Sequence, residues 1–204
     1  MIAIVNYGLG NIQAFVNCFQ SLGVETRVAT APEELQDADR IVLPGVGAFD
    51  RAISLLEASG MRPALTEKAC NQRVPVLGVC VGMQLMARSS EEGSLPGLCW
   101  IDAEVRRIKP IGSGAPIKLP HMGWNDVTSP RADKLFRGLE SDARFYFLHS
   151  YYFHPSNGDV VIGVARYGTE FASAVRVDNL WGVQFHPEKS HQWGMQLLKN
   201  FSEC

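Results

Sequence analysis

The sequence predicts an α/β fold: a mainly parallel, open twisted sheet flanked by helices, with additional antiparallel strands in its second half. Short apolar runs alternate with stretches of helical spacing through the first half of the 204-residue chain. From Leu95 onward the texture changes to brief aromatic and β-branched runs separated by turn residues. Glycine-bearing turns, "NYGLGN", "LPGVGAF" and "GVCVGMQ", follow three of the early runs. They fall where parallel sheets bind ligands, beyond the carboxyl ends of the strands.

Ile2–Val5 is an apolar run of strand length. Asn11–Leu22 carries Ile12, Phe15, Val16 and Phe19 at the spacing of a helix face, and Gly23 follows as its C-terminal cap. Val24–Val28 reads as the second strand and Ile41–Leu43 as the third, ending in a Pro-Gly turn. Phe49–Leu56 is helical, and a further helix occupies part of Arg62–Cys70. Val74–Val79 is the fourth strand, with Pro75 tolerated near its start, and helix-compatible residues resume at Met83–Ala87. The runs "CWIDAEVRRI", "RFYFLHSYYF", "VVIGVA", "FASAVRV" and "LWGVQF" read as antiparallel or mixed strands. A terminal helix is expected from Ser190 to Phe201. Gly112–Pro116 is expected to form a flexible surface loop, and residues 1–204 read as a single domain without an internal linker.

Hydrophobic content of 46% and charged content of 20% describe an ordinary globular chain. A net charge of −2 gives no support for a nucleic-acid or anionic-membrane partner. No apolar run reaches the roughly 20 residues that a bilayer span requires. The chain opens on strand-like "IAIV" without a basic segment and cleavage site, so no secretory signal is expected. Five scattered cysteines (Cys18, Cys70, Cys80, Cys99, Cys204) with no CxxC pair predict reduced thiols in a cytoplasm. They argue against a disulfide framework or a cysteine zinc site.

Cys80 sits where the fourth strand turns into a helix, between Gly78 and Gly82. Small neighbours permit a sharp elbow that keeps the central side chain accessible at the strand's end. The free N–H groups of a helix's first turn also stabilise a thiolate. By itself the stretch fits a small apolar residue packed in a core equally well. A nucleophilic cysteine needs a base, and the base an orienting acid. Of the five histidines, only His186 is followed at i+2 by a carboxylate with proline between, in "GVQFHPEKS". In extended backbone His186 and Glu188 would point the same way, so that the carboxylate fixes the imidazole's tautomer and steadies its charged form. A solvent-facing histidine at a strand end fits that motif alone equally well. Oxyanion donors would come from the backbone N–H of Val81 and from the turn Gly45-Val46-Gly47, which is otherwise an ordinary strand-to-helix connection.

In this order and at this spacing, "PGVGAF", "GVCVGMQ" and "GVQFHPEKS" resemble the class I, triad-type glutamine amidotransferases, and the resemblance covers essentially the whole chain. It implies a flavodoxin-like sheet and a glutaminase reaction without metal or cofactor. Cys80 would be the nucleophile that forms a glutamyl thioester, His186 the general base and acid, and Glu188 its orienter. The resemblance implies oxyanion donors at Val46, Gly47 and Val81, and contacts to L-glutamine at Gly45 and Gln84. The stretches "NYGLGN", "LPHMGWN" and "FYFLHSYYF" further resemble the glutaminase subunits of imidazole glycerol phosphate synthase, in histidine biosynthesis. That likeness implies a heterodimer with a (β/α)8-barrel cyclase, which takes the ammonia and makes imidazole glycerol phosphate and AICAR. It places Asn11, Met122, Trp124 and Asn125 at the interface. An aromatic and a methionine in a Pro/Gly loop also suit a docking anchor on physical grounds, a core tryptophan being the alternative.

Three positions depart from the family's usual residues: Asn6 for Asp, Val81 for Leu, and "KSHQWG" where small residues are commoner. None removes a catalytic group. They leave open a paralogous branch that supplies ammonia for an amidine on a bacterial surface sugar. Peptidase- or chaperone-like proteins share the fold and the elbow cysteine but lack a late HxE pair.

Overall fold

The computed structural model describes residues 1–109 and 117–204; the expected loop at Gly112–Pro116 lies outside them. β1 (Ile2–Val5) leads into α1 (Ile12–Ser21), and β2 (Thr26–Ala29) follows. β3 (Arg40–Gly45) leads into α2 (Phe49–Ala58) and α3 (Arg62–Thr66), which continues as a wider π turn over Glu67–Asn71. β4 (Val76–Cys80) runs directly into α4 (Val81–Leu85). The second half contributes β5 (Ser89–Ser90), β6 (Ala103–Arg107), β7 (His121–Asp126), β8 (Arg144–His149) and β9 (Tyr151–Pro155). It closes with β10 (Val161–Tyr167), β11 (Thr169–Val177), β12 (Leu180–Val183) and α5 (His191–Ser202).

The main sheet has seven strands in the order β10-β11-β12-β4-β3-β1-β2. Pairs from β2 to β12 are parallel, and β11 and β10 add antiparallel edges. β1 and β4 are buried along their whole length, which is why they read as unbroken apolar runs and not as alternating ones. The chain steps one way from β1 to β2 and the other way from β3 to β4, so right-handed crossovers put α1 and α2 on opposite faces. α5 packs beside α1, and α4 beside α2. β5, β6 and β9 form a small second sheet, and β7 and β8 a hairpin-like pair.

Several boundaries differ from the sequence expectation for identifiable reasons. β2 begins at Thr26 because Val24 still closes the preceding helix, its N–H donating to the Phe19 carbonyl at 2.9 Å. β3 runs through Pro44 and Gly45, which lie opposite Val79 and Cys80 of β4. Pro44 is tolerated because the pairing of β3 with β1 has already ended at Val42, so its missing N–H leaves no ladder bond unmade. The helix after Cys80 starts at once, at Val81. "RFYFLHSYYF" is two strands parted at Ser150, of which β8 pairs with β7 and β9 with β6. "HMGWN" is a strand, β7, and not a loop.

The ends of β3 and β4 meet more closely than any side chain allows. A Cβ on Gly82 would stand 1.8 Å from the Leu43 carbonyl oxygen, and one on Gly45 would stand 2.5 Å from the Gly82 nitrogen. Gly82→Ala should therefore destabilise the chain by about 3 kcal/mol. Gly158→Ala, at a glycine with open space around it, should change stability by less than about 0.5 kcal/mol. Urea unfolding of the two variants checks this; equal midpoints would contradict it.

Candidate active site

Cys80 ends β4 in a conformation that most side chains avoid, with φ 54° and ψ −112°. Such a backbone costs about 1–3 kcal/mol and persists only where its surroundings fix it. Here the fixing comes from Gly45 paired opposite Cys80 and from Gly82 pressed against Leu43. The thiol is buried but reaches a cavity of about 280 Å³. α4 is only five residues long, so it sets no long macrodipole behind Cys80.

His186 follows β12 and enters the same cavity. Its N–H donates to the Tyr146 carbonyl at 2.9 Å, and its own carbonyl accepts from the buried Ser190 hydroxyl at 2.6 Å. Nδ1 stands 3.0 Å from Glu188 Oε1. The sequence predicts this pair side by side on extended backbone. In the structure Pro187–Lys189 is a single 3-10 turn, and it is this turn that folds Glu188 back onto the ring. Burial by itself would lower the His186 pKa, but hydrogen bonds to Cys80 and Glu188, together with their charges, raise it to about 10. Glu188 is almost wholly buried, and its Oε2 has no partner among the described residues, so the imidazolium is its main compensation. The ring therefore keeps its proton well above the usual histidine range.

Val46, Gly47 and Val81 line the cavity beside Cys80. Gly47 sits at φ +91°, a conformation open to glycine and strained for other residues. Gly45 does not line the cavity; it supplies the close contact with Gly82. Gln84 is on the wall, its Nε2 donating to the Tyr151 carbonyl and to Gln184 Oε1, each at 3.0 Å.

Four further groups stand here outside the predicted site residues. Gln184 is fully buried and holds its Nε2 3.7 Å from Cys80 Sγ. It lies two residues before His186, a period-two signal that could have marked it. Glu92 lines the cavity and accepts from the Phe49 N–H at 2.9 Å. His149 forms part of the far wall with Leu148, Ser150 and Tyr151. The Tyr7 hydroxyl is buried under Gly45 with no partner among the described residues, and burial, with the Cys80 charge, pushes its phenol up.

The expected interface residues separate. Met122 and Trp124 are 65% and 38% exposed, and with Leu148 at 38% they are the large exposed apolar side chains among the described residues. All three belong to the β7–β8 pair, where Met122 lies opposite Leu148 and Trp124 opposite Tyr146. Trp124 stacks on His191 with ring centroids 5.2 Å apart, and Trp193 meets its edge. Asn125 points the other way, its Nδ2 donating to the Arg166 carbonyl at 3.0 Å. Asn11 is exposed at the start of α1.

Residues 3–203 match the family described as Glutamine amidotransferase class-I. The chain is 55% identical over 203 residues to the imidazole glycerol phosphate synthase subunit HisH of Bdellovibrio bacteriovorus, covering 100% of both chains. To the protein of the same name from Leptospira interrogans it is 46% identical over 202 residues, covering 99% of each. Its fold is shared with a solved crystal structure of a glutamine amidotransferase. That similarity has a TM-score of 0.74 at 20% identity, over 99% of this chain and 97% of that one.

The raised His186 pKa links the site to stability. Below about pH 6.5 folded and unfolded chains both hold this proton, and the contribution is complete. Between there and about pH 10 only the folded chain holds it, so stability falls as the pH rises through that window. Glu188→Gln should flatten this decline, measured by urea unfolding of both proteins across the window; parallel curves would contradict the pairing.

Proposed function

The chain belongs to the class-I glutamine amidotransferases, and from that premise we propose that Cys80, His186 and Glu188 hydrolyse the side-chain amide of L-glutamine. It is a glutaminase subunit of imidazole glycerol phosphate synthase and serves histidine biosynthesis. The observation that carries the catalytic assignment is the convergence of one thiol, one charged imidazole and one buried carboxylate at the carboxyl ends of neighbouring strands.

The thiolate of Cys80 adds to the amide carbon, and the charge that develops on oxygen is met by backbone N–H groups of Val81 and of the Val46–Gly47 turn. The His186 imidazolium gives its proton to the nitrogen, and ammonia leaves a γ-glutamyl thioester. Neutral His186 then takes a proton from water as the water attacks the thioester. Glutamate departs, and thiolate and imidazolium are restored. Glu188 keeps the ring in one orientation and steadies its charge at both steps. The Glu92 carboxylate on the cavity wall complements the α-ammonium group of the substrate, and Gln84 faces the same space. The family match over residues 3–203 supports a single amidotransferase domain.

The chain works with a synthase partner. For that partner, a (β/α)8-barrel cyclase fits the reading best, docking on the exposed face of Met122, Trp124 and Leu148 and taking up the ammonia. Relatives matched end to end carry the histidine-pathway name, which favours this partner over one acting on a surface sugar.

Cys80→Ala should abolish glutamine hydrolysis and leave ammonia-driven synthesis by the complex intact. A glutamine-analogue chloroketone should label Cys80 in preference to the other four cysteines. His186→Ala should lower turnover by several orders of magnitude and Glu188→Gln by less, since water or an amide partly replaces an orienting group. Mapping of the label to another cysteine would defeat the triad.

Ammonia released without a waiting acceptor wastes glutamine, so the isolated chain is expected to be nearly inactive. A peptide flip at Val46, permitted by Gly45 and Gly47, would exchange an oxyanion donor for a carbonyl, and losing one such donor costs about 10²–10³ in turnover. The partner with its nucleotide substrate should therefore raise glutamine turnover at least about a hundredfold. Trp124→Ala should weaken that stimulation without preventing Cys80 labelling. Full turnover by the purified chain alone would overturn the switch.

A further inference from the structure

The two faces of β7 carry different chemistry. Met122 and Trp124 are exposed on one, and His121 and Asn125 alternate with them on the other. His121 and His149 are both buried, with His121 Nδ1 2.9 Å from His149 Nε2. His149 Nδ1 lies 2.9 Å from the Tyr151 carbonyl on the cavity wall. Asn125 Nδ2 lies 3.3 Å from His121 Nε2. We propose that Asn125, His121 and His149 form a one-way hydrogen-bond relay from the partner-facing strand to the glutamine cavity, and that His121 is a positioning residue for glutamine. The proposal rests on the glutaminase reading.

The direction follows from the donors. Asn125 Oδ1 accepts from the Asp126 N–H at 2.9 Å, so its amide nitrogen is the group turned to His121, and that nitrogen can only donate. His121 Nε2 must then be bare and its Nδ1 protonated, donating to His149 Nε2. His149 in turn carries its proton on Nδ1 and donates to Tyr151. One proton assignment satisfies every link, and it requires both rings to be neutral. Burial holds them so, lowering His121 to about 4 and His149 to about 3.

The relay is also stiff. His121 is sandwiched between Tyr167, at a centroid distance of 4.1 Å and 16° between planes, and Phe147, at 4.8 Å and 23°. The ring cannot turn to absorb a shift of β7, so the shift passes to His149. Beyond it the Tyr151 carbonyl also accepts from Gln84, which is bonded to Gln184 beside the Cys80 sulfur. A partner pressing on Met122 and Trp124 therefore acts, through the same strand, on the wall that holds the substrate.

The test uses the complex of the full chain with its synthase partner and nucleotide substrate. His121→Phe keeps the aromatic sandwich and removes the donor; His121→Asn places an amide N–H where Nδ1 stands. The Phe variant should raise KM for glutamine about tenfold, with ammonia-driven synthesis and iodoacetamide labelling of Cys80 unchanged, and the Asn variant should restore most of the loss. Long-range 1H–15N spectra of the unmodified, 15N-histidine-labelled chain should show both rings neutral with the proton on Nδ1. An unchanged KM in the Phe variant, an Asn variant no better than Phe, or a His121 proton on Nε2 would overturn the relay alone. Absence of glutaminase activity in the unmodified complex would overturn the parent reading and the relay with it.

Discussion

The backbone at Cys80 is the constraint from which the site follows. A residue at φ 54° holds its sulfur at the carboxyl end of the central strand only if the neighbouring chain prevents relaxation. Gly45 and Gly82 supply that restraint by bringing β3 and the first turn of α4 within backbone contact. The same approach sets the Gly45–Gly47 turn beside the thiol, so one packing event places both at the cavity. Strain at the elbow and close glycine packing are two aspects of one arrangement.

Charge in the site is organised by burial. Glu188 and His186 are both shielded from water, and neither could remain charged alone at tolerable cost. Paired at 3.0 Å, each compensates the charge of the other. The turn at Pro187 matters as much as the residue types, because it brings a side chain two positions on back against the ring. The Ser190 hydroxyl, bonded to the His186 carbonyl and accepting from the Tyr146 N–H, ties this turn to β8.

β8 in turn joins the cavity to an exposed apolar face. Phe145, Phe147 and His149 point inward to an aromatic layer with Phe171 and Phe185, while Tyr146 and Leu148 face out beside Trp124 and Met122. Period-two alternation thus allows a single strand pair to carry an exposed apolar surface and a buried polar network. Stacking of His191 on Trp124 extends the outer face onto α5, which gives the departure from small residues in "KSHQWG" a structural consequence.

The parallel core, the elbow at Cys80 and the HxE motif were legible in the sequence because each is local: apolar runs, flanking glycines and a fixed i+2 spacing. The family resemblance was legible for the same reason, since it rested on those local motifs. What the chain alone did not disclose depends on contacts between distant segments. Gln184, Glu92 and Tyr7 reach the site from separate elements; the turn "NYGLGN" and the two-residue step from Gln184 to His186 mark two of those neighbourhoods, and nothing marks that of Glu92. "PHMGWN" looked like a loop because Pro and Gly punctuate it, yet pairing with β8 made it a strand and turned Asn125 inward while leaving Met122 and Trp124 out. Which face a residue takes is decided by the register of the partner strand, and register is a property of the folded sheet.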